Sequence, residues 1–72
     1  MIEGVERKPL SPRETEVLEL ISKGLTNSQI AKGLGLSIHA VKFHLASVYR
    51  KLGVANRTEA VVVLLQSRGL ER

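Results

Sequence analysis

The sequence predicts an all-α fold of four short helices, and three observations carry that expectation. Apolar residues recur at helical spacing in four separate blocks. Each block opens on a Ser, Thr or Asn suited to an N-cap and closes on a glycine. No segment alternates polar and apolar residues for long enough to make a strand.

The first block is "SPRETEVLELISKG". Ser11 is a good N-cap, Pro12 fits the first helical position, and Glu14 completes a capping box. Val17, Leu18, Leu20, Ile21 and Leu25 form the apolar stripe, and Gly24 ends a helix expected over 12–23. In "LTNSQIAKGLGLS", Thr26 or Asn27 caps a short helix over 27–33, with Ile30 and Ala31 inward. Gly33 to Gly35 close it, and Leu34 and Leu36 flank the break. Ser37 then caps a third helix over 38–52, which Gly53 stops. "ANRTEAVVVLLQSRG" gives a fourth over 57–68, capped by Asn56 or Thr58 and closed by Gly69. Residues 1–10 lack periodicity and read as a flexible arm, leaving 11–72 as one domain.

Composition narrows the function classes. A 72-residue chain is one small domain that buries about 60% of its unfolded surface. The absence of cysteine removes disulfides, a thiolate nucleophile and any cysteine-based zinc site. No apolar run approaches the roughly 18 residues of a membrane span, and "MIEGVERKPL" lacks a signal-peptide core. The expectation is a cytoplasmic protein with no membrane partner and no cofactor. Charge is unevenly placed. Residues 1–36 carry five basic side chains against five acids, whereas residues 37–72 carry six against two and supply the whole net +4. That asymmetry points to a polyanion facing the second half.

The third helix explains why. On a helical wheel Val41, Leu45, Val48 and Leu52 cluster within about 60°, with Ile38 close by, as a core stripe. Opposite them lie His39, Lys42, Phe43, Ala46 and Arg50, spread over about 100°. A face that only needed solubility would carry Glu and Lys. This one suits the major groove of DNA, which admits a helix and displays base edges. Lys42 can donate to guanine or to a phosphate, Phe43 can touch a thymine methyl, and Ala46 lets the helix approach. Arg50 and Lys51 would meet the DNA backbone. Two helices joined by a short glycine-containing turn, the second longer, also form a helix-turn-helix signature.

Other chemistries find less footing. His39 and His44 are five residues apart, about 140° around the helix, whereas a zinc pair needs i,i+4 spacing. No metal site is expected, and His44 reads as a structural or phosphate hydrogen bond. Glu16 and Glu19 share a face but have no nucleophile or pocket, so they read as solvated or ion-paired and no enzyme is expected.

From Leu10 to Val62 the chain also resembles the LuxR/FixJ-type helix-turn-helix domain of bacterial transcription regulators. The shared features are "LSPRE" at the first cap, Glu16, Gly24, "TNSQIA", "VKFH" at Val41 to His44, and "KLGV" followed by "NRTEAV". The resemblance implies four helices, with the second as scaffold and the third as recognition helix. It implies that Lys42, Phe43 and Ala46 face the groove. Thr26, Asn27, Gln29, Arg50, Lys51 and Arg57 become candidates for phosphate contact or for bracing such contacts. Ala40, Ser28 and Ser47 depart from the frequent Thr, Lys and Asn, which shifts direct readout toward Lys42 and Phe43. A homodimer through the fourth helix, with RNA polymerase as a further partner on DNA, is the implied assembly.

All seven acids are Glu, so there is no phosphoacceptor Asp in this sequence. The expectation is a stand-alone regulator or the effector half of a longer one. Helix four carries "AVVVLL", an apolar run too long for one face. Ala60, Val61, Leu64 and Leu65 are expected to pack inward, leaving Val62, Val63 and Gln66 for a two-fold contact and a roughly palindromic operator. A helical protein-interaction domain is the competing reading, and the similar helix-turn-helix of a sigma factor a related one.

Overall fold

Helix α1 begins where Ser11 and Glu14 satisfy each other's backbone donors. A computed structural model describes residues 9–69 of the chain. In α1 (Pro12–Ser22) the Glu14 amide donates to Ser11 Oγ at 3.1 Å, and the Ser11 amide donates to Glu14 Oε1 at 2.8 Å. A second capping box starts α2 (Asn27–Leu34), where Thr26 and Gln29 exchange the same pair of bonds at 3.1 and 2.8 Å. Ser37 caps α3 (Ile38–Leu52) and Asn56 caps α4 (Arg57–Ser67). All four start signals therefore act as the sequence predicts, and the helix ends fall within a residue of expectation. The arm expected over 1–10 lies outside the described residues except for Pro9 and Leu10, and Leu10 packs against the core.

The turn between α2 and α3 needs a left-handed residue, and Gly35 supplies it at φ 69° and ψ 34°. The Leu36 amide then donates back to the Ala31 carbonyl at 2.8 Å, closing the end of α2. Three residues, 35–37, thus separate the two helices.

Helices α1 and α3 form the centre, each packed on the other three elements, while α2 and α4 flank them without packing on one another. The core between them consists of Val17, Leu18, Ile21, Ile30, Ala31, Val41, Leu45, Val48 and Ala60. Fully burying a Val, Leu or Ile side chain is worth about 1.5–3 kcal/mol, so these few positions hold the helices in register. Leu20, Leu25, Leu34, Leu36, Leu52, Val54, Val61 and Leu64 close around them.

Two apolar positions differ from expectation. Ile38, expected beside the core stripe, is 43% exposed. It is the first residue of α3, and side chains on a helix tilt toward its N-terminus, so this one extends past the end of the packed face. Leu65, expected to pack inward with Val61 and Leu64, is only half-buried and lies outside the core cluster. It sits about 140° around the helix from Ala60, beyond the edge of the buried arc.

Candidate nucleic-acid interface

Helix α3 carries two faces that share no side chain. Val41, Leu45 and Val48 are buried, while His39, Lys42, Phe43, Ala46 and Arg50 are all exposed. Phe43 is 71% exposed, the most open large apolar side chain among the described residues. Its ring stands edge-on to the half-buried His44 imidazole, with centroids 5.8 Å apart and planes at 71°. Leaving an aromatic ring in water forfeits burial that a 72-residue chain can ill spare.

The start of α2 is built from capping geometry. Thr26 and Gln29 are both exposed at the start of α2, each orienting the other through the capping box. Asn27 is half-buried and its Oδ1 accepts from Arg57 Nη1 at 3.3 Å. Arg57 Nη2 also donates to the Leu25 carbonyl. Arg57 therefore braces the start of α2 from the first residue of α4. Thr26, Asn27, Gln29 and Arg57 are gathered in one place by these bonds.

Lys51, expected to meet the DNA backbone, is held against α1. Its Nζ lies 2.8 Å from Glu14 Oε1, and its side chain is 15% exposed. Glu14 Oε2 in turn accepts from Ser47 Oγ at 2.5 Å. Desolvation raises the Glu14 pKa, but the hydrogen bonds from Lys51, Ser47 and the Ser11 amide outweigh it and hold the carboxyl at about 2, below its ordinary 4.5. The reason lies in spacing. Glu14 stands three, four and seven residues before Val17, Leu18 and Ile21, so it belongs to the buried stripe of α1. Read only as a capping residue, it gives no hint of reaching α3. An acid on an apolar stripe is the signal that marks it, since a buried carboxylate requires partners.

The other acids of α1 are surface groups. Glu16 pairs with Arg13 at 3.1 Å, and Glu19 pairs with Arg68 beyond the end of α4. On α4, Val62 is 39% exposed, Gln66 is exposed and Val63 half-buried. No cavity opens among the described residues, and none of their helices is long and apolar enough to cross a membrane. The exposed side of α3 is a convex helix face.

Residues 8–64 match the pattern of the family described as bacterial regulatory proteins, luxR family. The chain belongs to that family. Membership makes it a helix-turn-helix domain of a transcription regulator, and DNA binding is the activity that membership carries.

Among LuxR-family relatives it is 41% identical over 71 residues to the nitrate/nitrite response regulator protein NarP of Escherichia coli (strain K12), covering 94% of this chain and 33% of that protein. It is 43% identical over 58 residues to the transcriptional regulatory protein ComA of Bacillus subtilis (strain 168), covering 81% and 27%. Among solved structures it is similar to the response regulator ChrA of a heme-sensing two-component system, with a TM-score of 0.81 and 44% identity over 92% of this chain and 33% of that one. The chain spans about a third or less of the length of the relatives it matches.

Proposed function

We propose that the chain binds double-stranded DNA sequence-specifically, with α3 lying in the major groove. The observation that supports this most is the exposed stripe of α3, where Lys42 and the 71% exposed Phe43 stand beside Ala46 and His39. Lys42 donates to a guanine edge, Phe43 meets a thymine methyl, and Ala46 permits close approach. Thr26, Asn27, Gln29, His44 and Arg50 meet or orient phosphates on either side, with Arg57 as their brace. The domain acts as a pair through α4, where Val62, Val63 and Gln66 face a second copy. Two recognition helices then meet half-sites about one helical turn apart.

Selection of bound sequences from a random duplex pool tests this reading. The expected outcome is a roughly palindromic consensus whose binding weakens by orders of magnitude between about 50 and 200 mM salt, as release of counterions from several phosphates requires. Binding that ignores salt, or a pool that yields no consensus, overturns the proposal in favour of a protein-interaction role.

A further inference from the structure

Of the three cations on α3, Lys42 and Arg50 are exposed, whereas Lys51 is held against α1 with its side chain 15% exposed. The holding group is Glu14. Its Oε1 takes both Lys51 Nζ and the Ser11 amide at 2.8 Å, and its Oε2 takes Ser47 Oγ at 2.5 Å. Ser47 and Lys51 stand one turn apart, on the flank of α3 that faces α1.

The charge on Glu14 exceeds what capping needs. A glutamine completes a capping box as well as a glutamate, because one side-chain oxygen reaching the N-cap amide is enough. Ser47 likewise needs only an acceptor. Lys51 is the partner that calls for an anion. Without it, a four-carbon stem lets the ammonium reach water easily. An ammonium released in the last turn of a helix that lies along DNA meets the phosphate backbone. Such contacts strengthen binding to every sequence alike and carry no base information.

We propose that Glu14 is a positioning residue that withholds Lys51 from DNA, and so limits sequence-independent binding relative to specific binding. The inference rests on the DNA-binding reading above. Glu14 and Ser47 also fix the flank of α3 beside its exposed face, so the same network that keeps one cation inward sets which side chains look outward.

Salt titrations of binding to a short random-sequence duplex test it. Glu14→Gln is expected to steepen the dependence of log affinity on log salt by about 0.9, the value of one added phosphate contact. Its preference for the pool-selected sequence over random duplex falls at the same time. Lys51→Gln alone leaves the wild-type slope unchanged, and the double variant Glu14→Gln/Lys51→Gln returns to it. That cancellation separates withholding from a general loosening of the fold, which removal of Lys51 would not repair. An unchanged slope in folded Glu14→Gln overturns the proposal, and so does a flatter slope in Lys51→Gln. If Glu14→Gln does not fold, the Lys51→Gln slope decides alone. Failure of the DNA-binding reading is seen separately, as wild-type protein that binds no duplex at low salt.

Discussion

Arg57 Nη1 donates to Asn27 Oδ1 across 3.3 Å, linking the first residue of α4 to the first residue of α2. These two helices do not otherwise pack on one another. Because Nη2 also reaches the Leu25 carbonyl, one guanidinium ties the α1–α2 loop, the start of α2 and the start of α4. Arg57→Ala is expected to cost about 1.5–3 kcal/mol in urea denaturation, the range for losing a hydrogen bond from a charged donor. Arg57→Lys should recover little of that, since an ammonium lacks the planar fork that spans two acceptors. Full recovery by lysine would show that charge alone matters at this position.

The Glu14 carboxyl sets an acid limit. Its pKa is lowered in the folded protein from 4.5 to about 2, so the stability it contributes is fully present above pH 4.5. That contribution is lost as pH falls toward 2, where the folded form also takes up the proton. Glu14→Gln should therefore be less stable than wild type at pH 7, and the gap should narrow as pH falls from about 4.5 to about 2. Urea midpoints across that range measure it. A gap that is constant with pH would mean that the ion pair contributes nothing.

On the proposed reading, the exposed face of α3 carries both a base contact and a backbone contact. Lys42→Ala should cost about 1–3 kcal/mol on the selected sequence and relax preference at one position. Arg50→Ala should weaken all sequences alike and flatten the salt slope by about one unit. An equal loss on every duplex for Lys42→Ala would make Lys42 a phosphate contact.

Phe43 is exposed, so its removal should leave the melting temperature near wild type. Replacing the contacted thymine by uracil should weaken wild-type binding and barely affect Phe43→Ala. A large drop in melting temperature on Phe43→Ala would move the ring from the groove into the fold.

Val62 is the better probe of assembly than Val63, being 39% exposed where Val63 is half-buried. Val62→Glu should leave the fold intact, abolish cooperative binding to the full palindrome and spare binding to a half-site. Equally tight and cooperative binding by Val62→Glu would refute a pair formed through α4.

The helices were legible because their signals are local. Ser11, Thr26, Ser37 and Asn56 each cap through a bond to an amide three residues on, and such spacing is visible in any sequence. The exposed side of α3 was legible for a similar reason, since periodicity alone separates Val41, Leu45 and Val48 from Lys42, Phe43 and Ala46. What stayed hidden crosses between helices. Glu14 meets partners 33 and 37 positions away, and Arg57 meets partners 30 and 32 positions away. No periodicity encodes which residues of two packed helices come opposite one another. The wheel position of Lys51 is visible in the sequence, but the acid beside it is not.

The division of α3 into two side-chain sets has an evolutionary consequence. Its start at Ser37, its stop at Gly53 and its buried residues Val41, Leu45 and Val48 are independent of positions 39, 42, 43 and 46. Substitutions at those four exposed places change no buried volume and remove no cap, so their cost to folding is small. A duplicated copy of this domain can therefore vary that face without passing through unfolded intermediates. The exposed face behaves as a replaceable surface on a fixed mount.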